Sequence, residues 1–177
     1  MIGTMWNVRP AECAEPLPCD DLLPGAVRLE RAISIDAPPS VVFAWLCQMR
    51  VAPYSYDLLD NTGRRSPRVR SDELTDLAVG QPFVRIFGRT YVFELTDFET
   101  DRHITLRSRR PSRWGTVANT YAVSPEGRGT RLHVRVLFDG PRPVGQVLAL
   151  VNLLMMRKQL EVFKQLAERD ALAVSPG

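Results

Sequence analysis

At 177 residues, with 45% hydrophobic and 24% charged side chains, the chain is long enough to bury one sizeable core and too rich in apolar residues to be disordered. Its 23 basic and 20 acidic residues leave a formal charge of +3, which gives no strong field to draw nucleic acid or anionic lipid. Arginines do cluster, in Arg64, Arg65, Arg68 and Arg70 and again in Arg102, Arg107, Arg109, Arg110 and Arg113. Such runs read as solvated strand faces and loops.

The opening segment MIGTMWNVRPAEC lacks a cationic start followed by an apolar stretch, so no secretory signal is expected and a cytoplasmic place follows as the expectation. Residues 1–26 carry Pro10, Pro16, Pro18 and Pro24 and no regular hydrophobic period, which predicts an extended arm. Val27, Leu29, Ile33 and Ile35 then alternate with Arg28, Glu30, Ala32 and Ser34, so a first strand is expected with Arg31 as the polar exception on its apolar face. Pro38 and Pro39 introduce a short helix on which Val42, Trp45, Leu46 and Met49 share helical spacing. A further helical turn is expected around Asp57 to Asp60, followed by a polar loop.

From Gln81 the pattern becomes a meander of strands over Phe83–Phe87, Tyr91–Phe98, His103–Arg109, Gly115–Val123 and Thr130–Phe138. Turns are expected at Gly88, at Thr100 to Arg102 and at the segment SPEGRG, whose glycines allow positive φ. In the last strand Leu132, Val134, Val136 and Phe138 alternate with Arg131, His133 and Arg135, so one face should be core and the other wet. After Pro143 a helix runs to about Leu172, with Ala149, Leu153, Met156, Leu160, Phe163 and Ala167 forming an apolar stripe. Its first half, VGQVLALVNLLMM, is apolar nearly all round but too short to span a bilayer, and is expected to be buried in the domain or at a partner, a homodimer included.

The segments VRLERAISIDAPPSVVFAWLCQM and PVGQVLALVNLLMMRKQLEVFKQLAE, in this order around a meander, resemble the START-like (SRPBCC) superfamily of polyketide cyclases and Bet v 1-like proteins. The stretch IDAPPSVVFAWLCQMRVAPYSYDLLDN is similar to bacterial members of its polyketide cyclase/dehydrase group. The resemblance implies an α+β helix-grip fold over residues 27–172, a curved antiparallel sheet wrapped around a long C-terminal helix, with an arm at 1–26 and a tail at 173–177. It also implies a cavity between sheet and helix for a small, largely hydrophobic or polyketide-like molecule, and allows a cyclase, aromatase or dehydratase as the alternative.

Candidate cavity residues follow from that frame. Asn119 and Tyr121 enter the cavity if Val117 and Val123 face the core. Arg85 enters if Phe83 and Phe87 are inward and lies in water if Val84 and Ile86 are; turned inward, its forked donors would suit a carboxylate or phenolate. Phe93, Met156 and Phe163 are apolar wall candidates, while Trp114 covers one end or packs at the rim. Tyr56 and Asp57 lie where the family's cavity mouth falls, and equally suit a plug and a turn cap. His103 and His133 are the only histidines, and His133 is expected to point to solvent. Neither a metal site, a nucleotide loop nor an activated nucleophile has a motif here, and Cys13, Cys19 and Cys47 read as reduced thiols.

Overall fold

The computed structural model describes residues 2–55, 65–86, 91–109 and 115–174. Seven strands form one sheet: β1 (Met5–Trp6), β2 (Val27–Ile35), β3 (Pro82–Ile86), β4 (Tyr91–Glu99), β5 (His103–Ser108), β6 (Thr116–Glu126) and β7 (Gly129–Asp139). Their spatial order is β1-β2-β7-β6-β5-β4-β3. All neighbours pair antiparallel except β1, which lies parallel to β2. Short helices α1 (Pro10–Ala14) and α2 (Cys19–Leu22) precede β2, α3 (Pro39–Cys47) follows it, and α4 (Arg142–Val174) closes the chain. This is the helix-grip architecture expected from the sequence.

Period-two alternation fixes which side of the sheet meets α4. Leu132, Val134 and Val136 of β7, with Ile104 and Leu106 of β5, are buried on the inner face. On α4 the expected stripe is the core face, since Ala149, Leu160, Phe163 and Ala167 are fully buried. Burying a side chain such as Leu160 or Phe163 stabilises the fold by roughly 1.5–3 kcal/mol. The C-terminal half of α4 is further tied down by polar contacts: Trp45 Nε1 donates to Asp170 at 2.9 Å, and Lys164 to the Ser34 carbonyl at 2.9 Å. The β6–β7 turn uses Gly127 at φ +60, a conformation that glycine adopts without Cβ strain.

The outer face of β7 is not wet: Arg131, His133, Arg135 and Leu137 are all buried. The N-terminal arm, expected to be extended, folds into β1, α1 and α2 and covers that face. Leu17, Cys19 and Leu23 pack there on Ala118 and Leu137 as a second small core. His133, expected in solvent, is only 5% exposed and its Nε2 lies 2.8 Å from Glu30. Arg135, fully buried, donates from Nε to Glu30 at 2.7 Å and from Nη1 to Asp20 at 2.6 Å. Its remaining donors reach the carbonyls of Glu12, Cys13 and Glu15. A guanidinium thus sits at the C-terminal end of α1, where orphan carbonyls and the helix dipole favour a cation. Arg131 grips Glu12 of the same helix through Nε at 2.6 Å and Nη2 at 3.1 Å. The alternation of β7 was sound, but a chain segment rather than water receives its polar side.

Arg31, the polar exception on β2, is fully buried. Its guanidinium donates to the carbonyls of Gly3 and Thr4 at 2.7 Å each and of Ala149 at 3.4 Å, so it stitches the segment before β1 and α4 to β2. Burial lowers its pKa to about 10. All three cysteines are free. No helix of the described residues is long and apolar enough to cross a membrane.

Candidate functional site

A cavity of about 280 Å³ lies between the inner face of the sheet and the first half of α4. Strands supply one wall, through Val84, Phe93, Leu106, Val117 and Val136 among others, and α4 supplies the other through Val144, Leu148, Val151, Met155 and Met156. The wall is overwhelmingly apolar. Its volume stands near the lower end of the range for small-molecule pockets, roughly 300–1,000 Å³.

Polar groups enter this wall from two elements. On β6, Asn119 and Tyr121 are two residues apart and therefore share the inner face. On α4, Asn152 and Gln159 are seven residues apart, two helical turns, and line the same space. Tyr121 Oη donates to Gln159 Oε1 at 2.9 Å and also approaches Met156 Sδ at 3.8 Å. Gln159 in turn donates from Nε2 to the Pro53 carbonyl at 2.5 Å. Burial pushes the Tyr121 phenol above the ordinary tyrosine range, against the opposing pull of its bond to Gln159. Asn119 Oδ1 and Asn152 Oδ1 are buried and have no hydrogen-bond partner.

The segment after α3 positions Pro53. Tyr54, almost wholly buried, adopts φ +56, a conformation rare for a bulky residue. Its ring packs edge-on against Trp45 at 6.0 Å and at a tilt against Phe163 at 5.4 Å. These contacts hold the turn that presents the Pro53 carbonyl to Gln159, with Ser55 also in the cavity wall.

Of the residues expected at the cavity from sequence, Phe93, Asn119, Tyr121 and Met156 line it. Arg85 does not: it is exposed, while Val84 and Ile86 face the cavity. The cause is a register shift between Pro82 and Val84 in the pairing of β3 with β4. Such a bulge lets both Phe83 and Val84 be buried and sends Arg85 outward. Phe163 lies deeper in the core, against Tyr54, and is not part of the cavity wall. Tyr56, Asp57 and Trp114, with the turns expected around Asp57 to Asp60 and at Gly88, lie outside the described residues. His103 is away from the cavity, its Nε2 2.7 Å from Asp97.

Sequence reasoning missed Asn152, Gln159 and Pro53. A signal for the first two was present, because Asn152, Met156 and Gln159 recur at i, i+4 and i+7 beside the apolar stripe. Polar residues at that spacing, once buried against a sheet, need a partner or a ligand. The first half of α4 is only partly buried: Val147 is 63% and Leu154 62% exposed on its outer side.

The family described as polyketide cyclase/dehydrase and lipid transport matches residues 26–168. No protein with a curated description matches the chain. Among solved structures, a protein from Nitrosospira multiformis is similar at 11% identity and TM-score 0.57, covering 82% of this chain and 99% of its own. A protein from Arthrobacter aurescens has 15% identity and TM-score 0.54, with 81% and 87% covered. The crystal structure of Ara h 8.0201 has 13% identity and TM-score 0.53, with 84% and 99% covered. These likenesses show the fold.

Proposed function

The chain belongs to the polyketide cyclase/dehydrase and lipid-transport family, and from that premise we propose that it binds a small, largely apolar molecule in the cavity between the sheet and α4. One observation carries this: an apolar space of about 280 Å³ with a few polar groups converging on it, the composition of a small-molecule pocket. Transfer of an apolar body from water into such a space is favourable by about 25 cal/mol per Å² of apolar surface removed from water. The protein would work in the cytoplasm as a binding or carrier domain.

The test is titration with N-phenyl-1-naphthylamine, a neutral dye whose emission rises in apolar surroundings. Saturable binding at one site per chain is expected, and Val136→Trp, which fills the cavity from its sheet wall, should abolish it while the circular dichroism of the fold persists. Undiminished binding to that variant would place the dye elsewhere and remove the proposal.

Catalysis on the bound molecule is a second reading, favoured by the convergence of Asn119 and Tyr121 in one cavity. A flexible poly-β-ketone held in one folded conformation gains rate from orientation alone, and hydrogen bonds to its enol oxygens would select the ring that closes. Incubation with a synthetic poly-β-keto thioester, followed by chromatography, should give a cyclised product faster than buffer does, and Tyr121→Phe should lose that gain. Identical product profiles with and without protein would dismiss catalysis.

A further inference from the structure

We infer that the cavity selects neutral molecules carrying a hydroxyl or N–H group, held by the side-chain amides of Asn119 and Asn152. This selectivity rests on the binding function proposed above and narrows its ligand class.

Both amides line the cavity, and the oxygen of each is buried without a partner. Asn119 is only 8% exposed. A buried acceptor left unmade carries a standing desolvation cost, which a donor brought by a ligand would relieve. The χ2 torsion of asparagine is broad, so each amide can turn its oxygen or its NH2 toward the cavity. A hydroxyl is the best complement to that choice, because it donates to the oxygen and accepts from the NH2.

The other polar side chains of the wall, Tyr121, Gln159, Ser55 and Tyr91, already have partners. Tyr121 donates to Gln159, and Gln159 donates to Pro53. Among the described residues, the oxygens of Asn119 and Asn152 are the buried polar side-chain atoms of the wall without a partner. Those residues place no carboxylate, ammonium, guanidinium or imidazole in the cavity wall. An ionised ligand would lose its hydration there without a counter-ion, which is costly in an apolar space. Apolar body, neutral charge and hydroxyl thus follow from the same wall.

Calorimetric titration of the full chain at pH 7 with 2-naphthol, 2-methoxynaphthalene and 2-naphthoate separates the possibilities. These probes share one ring system and differ in donating, only accepting, or carrying charge. The expected order is 2-naphthol about tenfold tighter than 2-methoxynaphthalene, with 2-naphthoate weakest. In Asn119→Leu and Asn152→Leu the affinity for 2-naphthol should fall toward that of the methyl ether, with no loss of melting temperature. Equal affinity for the hydroxyl and ether probes, or tightest binding of 2-naphthoate, would overturn the selectivity while leaving cavity binding intact. Failure of all three to bind would overturn both. The three-probe order on the unaltered chain decides the matter even if a variant does not fold.

Discussion

Tyr121 on β6 donates its hydroxyl to the Gln159 side chain on α4 at 2.9 Å, joining the middle of the sheet to the long helix beside the cavity. Both side chains are buried, so the bond is made where water cannot replace it. Tyr121→Phe should cost about 1–3 kcal/mol in urea unfolding, because it strands a buried carbonyl oxygen. The double variant with Gln159→Leu should recover part of that loss. The folded-state pKa of Tyr121 is raised, so above pH of about 10 the unfolded chain releases a proton that the folded one keeps. Stability should therefore fall as pH rises past the ordinary phenol range, and less steeply in Tyr121→Phe.

The thiols should behave unequally. Burial pushes Cys19 up to about 11 and Cys47 up to about 12, whereas Cys13 is only partly buried. The thiolate is the reactive form, so at pH 8 a disulfide reagent should modify Cys13 alone in the native protein and all three thiols after unfolding. Rapid native modification of three thiols would show that the arm does not hold Cys19 against the sheet.

Arg135 should be the residue that the arm can least lose. It bonds Glu30, Asp20 and three carbonyls of residues 12–15 at once, a use of the guanidinium fork that an ammonium cannot copy. Arg135→Lys should expose residues 8–26 to thermolysin and cost about 3–5 kcal/mol, the usual penalty for breaking a buried ion pair. Unaltered proteolysis would mean that the apolar contacts of Leu17 and Leu23 hold the arm unaided.

Acid should loosen the same arm. Burial alone would raise the pKa of Glu12, but the bonds from the Arg131 side chain and the Arg9 backbone N–H outweigh it and hold the carboxyl below its ordinary range. A depressed folded-state pKa stabilises the fold above the unfolded value of about 4.3, and that stability drains away as pH falls through the folded value. Pepsin should therefore cut within residues 8–26 at pH 3, and Glu12→Gln should move the onset to higher pH. Identical onset in the variant would exclude Glu12 as the acid-sensitive group.

Much of the fold was legible because it depends on period alone. The alternation of Leu132, Val134, Val136 and Phe138, and the α4 stripe through Leu160 and Phe163, each name a buried face without further information. Asn119 and Tyr121 were found by the same phase. Tertiary cover was not legible: nothing in the spacing of Arg131, His133 and Arg135 says that α1 and α2 lie over them. Nor does alternation reveal a bulge, so the phase of β3, on which the direction of Arg85 depends, was not legible. Gln159 escaped notice because a polar residue flanking an apolar helical stripe is ordinarily solvated.

The most direct measurement places the bound molecule. Methionine methyl groups labelled with carbon-13 report on Met155 and Met156 inside the cavity, and on Met5, which is 57% exposed on the arm. With 2-naphthol added, intermolecular nuclear Overhauser contacts are expected from its ring protons to the methyls of Met155 and Met156 and not to that of Met5. Saturable binding with contacts to Met5 alone, and none to the cavity methionines, would contradict a ligand held between the sheet and α4.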